Sequence, residues 1–271
     1  MMITQAERRI NIKDLVIDQP ERQKDGPFDP RELIGSKEWK IMLSGLRQAK
    51  SDSLEGVYCE EAFKILTLFP ERKAQIPENI KAHTYLRSNL KKTDASFFYF
   101  LKFYEYAKVV FPNLPNSVDP EDLENFKKAI PKDIRTDKWG SSFLDTVAIF
   151  RRLFPEEDSL IDDEIKMPFF NKINEKLHAE TNIQIKAKDA AQLKIVFPQM
   201  AGEIKLSSNF WEDAKNKLIT LYGFNFLDFA FDLTVLAAEE VKLTGGLMEL
   251  KMPATEVACT QTPPQPEARR F

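Results

Sequence analysis

Apolar residues recur along this chain at steps of three, in blocks that repeat about every 43 residues. Each block carries the dipeptide Phe-Pro, at Phe69-Pro70, Phe111-Pro112, Phe154-Pro155 and Phe197-Pro198, spaced by 42, 43 and 43 residues. One residue before each Phe stand Leu68, Val110, Leu153 and Val196, and four before it Ile65, Ala107, Phe150 and Leu193. Seven before it are Ala62, Tyr104, Val147 and Ala190, and ten before it Cys59, Leu101, Leu144 and Ala187. Seven after it comes a β-branched residue: Ile76, Val118, Ile161 or Ile204. Steps of three ending on a phenylalanine draw one apolar stripe down an α-helix.

Proline predicts where each of these helices stops, because it disfavours helical geometry in the residue before it and offers no amide donor. Helix starts are legible too. Asp119-Pro120-Glu121-Asp122 supplies a capping carboxylate, a proline suited to the first helical position and acids at the positive end of the dipole. Ser207 or Ser208 is expected to cap the helix that begins at Phe210-Trp211. Each block therefore parses as helix A, a loop, then helix B ending in Phe-Pro. Five such units fit between Arg31 and Leu250, the first echoing the last through Glu32-Leu33-Ile34 and Glu203-Ile204-Lys205. In the fifth, Ala237-Ala238 replaces Phe-Pro, as expected of a terminal copy with one face uncovered.

The fold class is all-α. A two-helix unit of this length resembles the HEAT and armadillo class of repeats, and also helical repeats of bacterial proteins that carry segments such as Ala-Leu-Lys-Ile-Leu-Phe-Pro-Glu and no assigned activity. The resemblance implies a right-handed α-solenoid of about five stacked helix pairs. Residues 1–30 read as an extended arm, 31–250 as the repeat domain and 251–271, rich in Thr, Gln, Pro and Ala, as a disordered tail. Residues 241–250 read two ways: a β-hairpin around Gly245-Gly246, or a helix end followed by a loop.

Composition agrees with bulky helical layers. The chain has 9 glycines and 21 phenylalanines, so folds that cradle phosphates with bare backbone are disfavoured. A formal net charge of -3 argues against a dedicated nucleic-acid binder. Two cysteines, Cys59 and Cys259, form no CxxC pair, which fits a reducing compartment. No apolar stretch reads as a leader or a membrane span, so a cytoplasmic protein without membrane contact is expected.

No catalytic motif, metal set or cofactor fingerprint is visible, and no enzyme activity or cofactor is expected. His83 and His178 stand alone in A helices, and Cys59 falls in an apolar column. The acids Glu156, Glu157, Asp158, Asp162, Asp163 and Glu164 read as a loop and a helix start rather than a cation site. The leading expectation is a scaffold or adaptor that binds a protein partner on a repeat surface. Candidate contacts are the loop residue Trp139 and a basic ridge of Lys127, Lys128, Lys132, Arg135, Arg151 and Arg152. The same ridge supports the alternative of nucleic-acid binding. An enzyme built on carboxylates near Asp162 is the second alternative.

Overall fold

A computed structural model describes residues 26–91, 97–136, 142–161 and 163–243. The expected arm before residue 26, the tail and Trp139 lie outside these residues. The A helices are α1 (Ser36–Ser51), α3 (Ile80–Leu90), α5 (Pro120–Thr136), α7 (Asp163–Ala179) and α9 (Phe210–Leu218). They alternate with the B helices α2 (Glu55–Leu68), α4 (Phe97–Val110), α6 (Ser142–Leu153), α8 (Ile183–Val196) and α10 (Gly223–Leu243). The protein is all-helical among the described residues.

Phe-Pro ends each helix in the same way. The amides of Phe69, Phe111, Phe154 and Phe197 donate the last helical hydrogen bond to the carbonyl four residues back, at 2.8 to 2.9 Å. Proline then opens a 3-10 turn at Pro70–Gln75, Pro155–Leu160 and Pro198–Glu203. After Phe111-Pro112 the turn is shorter, Pro115–Ser117, and starts from a second proline. The β-branched residue that follows packs back on the core, with Ile161 and Ile204 fully buried. Asp119 caps α5 by accepting from the Glu121 amide at 2.8 Å, and Asn79 and Asn182 cap α3 and α8. The serine cap expected for α9 is not used; the Phe210 amide donates to the main-chain carbonyl of Ser207 at 3.0 Å.

All sixteen side chains in the four apolar columns before Phe-Pro are buried. They face the A helices and the neighbouring B helices, which is why B helices are apolar over most of their circumference.

Each B helix packs on the next, α2 on α4, α4 on α6, α6 on α8 and α8 on α10, and α10 then packs on α2. The five B helices therefore close into a ring. Several contacts make the closing junction. Phe63 of α2 lies 5.7 Å from Phe231 of α10, centroid to centroid. Lys64 pairs with Asp228, Phe28 meets Trp211 edge-on at 6.1 Å, and the Pro30–Leu33 turn packs on α10. The expectation that the fifth unit leaves a face uncovered is thus overturned. Ala237-Ala238 stands in place of Phe-Pro where α10 runs on as a helix to Leu243, and both alanines are buried. Residues 241–243 belong to that helix, which removes them from the hairpin reading; residues 244–250 lie outside the described part.

Candidate functional site: a charged pocket inside the ring

The ring encloses a recessed pocket of about 270 Å³ walled by all five B helices. Its lining follows the repeat. Counting back nine from each Phe-Pro, and from Ala237 in the fifth unit, gives Glu60, Lys102, Asp145, Lys188 and Asp228. One charge per unit thus circles the inside of the ring, alternating in sign along the chain, with the two acids Asp228 and Glu60 adjoining where the ring closes. Five back come Lys64, Tyr106, Ile149, Gln192 and Asp232, and all five also line the pocket. Equal positions meet at three junctions, Glu60 with Lys102, Asp145 with Lys188 and Phe63 with Phe231, so the B helices joined there run parallel and in register.

The ring of charges is stitched by ion pairs. Lys102 Nζ lies 3.1 Å from Glu60 Oε2, and Lys188 Nζ 3.2 Å from Asp145 Oδ1. Lys64 sits among Glu60 and Glu61, each at 3.1 Å, and Asp228. Deeper along the helices Arg152 grips Glu105 with two bonds, Nε to Oε1 at 2.7 Å and Nη2 to Oε2 at 3.2 Å. The Gln192 amide nitrogen donates to Asp145. Such forked, charge-assisted bonds fix the register between neighbouring helices.

Burial and charge pull the titrations apart. Burial works against the Lys64 ammonium, but Glu61, Glu60 and Asp228 around it hold it protonated beyond the ordinary lysine range. Burial would raise Glu60 as well, yet Lys64 and Lys102 keep its carboxyl below the usual value. Glu61 is pushed up to about 7, chiefly by burial, with Lys64 pulling the other way. Its Oε2 is buried without a hydrogen-bond partner. Asp232 also rises to about 7: burial dominates, Asp228 and Asp145 add to it, and Lys188 and Lys64 oppose it. Its carboxyl lines the pocket, and the residue is partly exposed.

The charged lining is more exposed toward the N-terminal ends of the B helices, at Lys188 and Asp228, than at Lys64 and Glu105. Twelve residues before Phe-Pro stand Val57, Tyr99 and Ile185, at 43%, 54% and 42% exposure. Leu54, just before α2, is exposed three residues ahead of Val57. One turn further in lies the alternating ring, half-open to solvent; another turn in, Lys64 and Glu105 are nearly closed off.

Three residues of the expected basic ridge, Lys127, Arg151 and Arg152, turn to internal partners. Lys127 is buried, 2.6 Å from Glu124 and 3.1 Å from Glu157, with its ammonium over the Phe154 ring. Arg151 donates through Nη1 to the carbonyls of Ile195 and Val196, at 2.6 and 2.8 Å, satisfying the C-terminal end of α8. Arg152 points into the pocket instead. Lys128 is exposed on α5, Lys132 and Arg135 lie further along the same helix, and Trp139 is outside the described residues. Cys59 is a buried thiol pushed up to about 12 by burial, with Glu55 adding to it. Among the described residues no group of three His, Cys, Asp or Glu side chains converges as a metal site, and no helix is long and apolar enough to cross a membrane.

The pocket residues were missed because the apolar columns draw attention to the helix stripe. The signal was present: the column nine before Phe-Pro is charged in every copy and alternates in sign. Fold and site together define a closed ring of helix-pair repeats around a charged pocket. No protein family matches the chain, and no curated protein or solved structure is significantly similar to it.

Proposed function

We propose that this chain is a non-enzymatic binding module, a helical-repeat array of the HEAT or armadillo kind curled shut, which holds a protein partner on the rim of its pocket. One observation carries the reading: Val57, Tyr99 and Ile185 occupy the same repeat position on three units and are all exposed, one helical turn before the charged ring. Large apolar side chains set at one level around an opening are a contact surface rather than scattered surface residues. Inside the rim, side chains are held by ion pairs, so the platform is rigid and loses little freedom on association. The partner fitted to it presents apolar side chains in a segment narrow enough to cross the mouth. Closure moves the surface from the concave groove of an open array to one end of the ring.

The test places a photo-crosslinking amino acid at Tyr99, and separately at the exposed Lys217 on α9, in cells that express the protein. A discrete crosslinked protein at position 99, lost with Val57→Asp and Ile185→Asp and absent at position 217, supports the rim. Crosslinks of equal yield at both positions, or none at position 99, refute it.

A further inference from the structure

Charges inside the pocket do not balance. Every lining cation is engaged: Lys64 by Glu60, Glu61 and Asp228, Lys102 by Glu60, Lys188 by Asp145 and Arg152 by Glu105. Those pairs use Glu60, Glu105, Asp145 and Asp228. Asp232 is left as the lining carboxyl with no ion pair or hydrogen bond among the described residues. The charged and polar groups around it are Lys188 and Gln192 of α8, Lys64 and Glu60 of α2, Asp145 and Arg152 of α6, and Asp228 one turn away on α10. Helices α1 and α9 also pack near α10 but contribute nothing to the lining. The wall on either side of Asp232 is apolar, made by Phe231, Val235 and Ile195.

We propose that the pocket binds a small aliphatic primary amine, its ammonium seated on Asp232 and its carbon chain laid against Phe231, Val235 and Ile195. An anion would find each cation already taken, whereas a cation meets the one carboxyl still unmatched. The ammonium has three donors, and the site offers more than one acceptor: the Asp232 oxygens, and the amide oxygen of Gln192, whose nitrogen is used by Asp145. At about 270 Å³ the space falls below the range of drug-sized sites, which limits the ligand to a few heavy atoms. Empty, Asp232 carries a proton about half the time near pH 7. Seating an ammonium expels that proton, so binding strengthens as pH rises.

Isothermal titration calorimetry of the full chain tests this, with n-butylamine as the probe and n-butanol as its uncharged counterpart. Butylamine binds and butanol does not, and the affinity at pH 6 is about tenfold below that at pH 8. Titration at pH 6 in two buffers of different ionisation enthalpy shows about 0.9 proton released per amine bound. Asp232→Asn, with an unchanged circular dichroism spectrum, abolishes the heat; if that variant does not fold, the proton count in the wild type decides. Equal binding of butylamine and butanol, binding without proton release, or no binding at pH 8 each overturns the proposal.

Discussion

Gly45 of α1 sits at the junction where the fifth unit meets the first. A Cβ at this position would stand 2.7 Å from Cζ and 3.0 Å from Cε1 of Phe224 on α10, inside van der Waals contact. Two effects then oppose each other in Gly45→Ala. Alanine is the better helix former by about 1 kcal/mol. Forcing a methyl group into a filled contact costs about 1–3 kcal/mol. The clash wins or cancels, and the variant loses about 0–2 kcal/mol relative to wild type. With Phe224→Ala the obstacle is gone, and the same glycine change should gain about 1 kcal/mol. The coupling between the positions is then the clash alone, about 1–3 kcal/mol in a double-mutant cycle. Urea denaturation of the four proteins, followed by circular dichroism, supplies the cycle. If Gly45→Ala stabilises by the same amount with and without Phe224, the Phe224 ring does not pack on Gly45 and this contact of the closing junction is absent.

Asp232→Asn should change the pH dependence of stability. Between the ordinary aspartate range and about 7, the folded chain keeps a proton that the unfolded chain has lost, so the wild type loses stability as pH rises through that window. Wild type and variant should match near pH 4 and separate by about 2–4 kcal/mol at pH 8 in favour of the variant, the lower figure allowing for water in the pocket. A difference that is flat across pH would sink this account; Glu61 titrates in both proteins and cancels. Arg152→Ala should cost about 3–5 kcal/mol, because it strands Glu105 as a buried charge, and Glu105→Gln in the same chain should restore part of the loss. Thermal denaturation of the single and double variants checks it, and strictly additive losses would show that the pair carries no such energy.

Much of this fold was legible in one dimension. Phe-Pro, the apolar columns before it and the Asp119 cap are local features, and local sterics set them whatever the rest of the chain does. Closure is different. It depends on how far each unit rotates against the next, which follows from side-chain volumes met across a junction, such as Phe63 against Phe231 or Gly45 against Phe224. No single copy of the repeat displays that angle. The pocket was hidden for a related reason. Glu60, Lys102, Asp145, Lys188 and Asp228 look like an ordinary solvated face when each helix is read alone. Only with the ring shut do they face one another. Of the basic ridge, Lys127, Arg151 and Arg152 are drawn to separate internal partners that no single helix displays.

Closure also bears on how the molecule comes apart. An open stack of repeats behaves as a linear chain of coupled units, and its outermost copies fray first because each has a single neighbour. Here every unit has two neighbours, and the Lys64–Asp228 junction is one of five rather than a loose end. Removing any one unit severs two interfaces at once. Partial melting from the termini is thereby suppressed, and the five units are bound to open together or not at all.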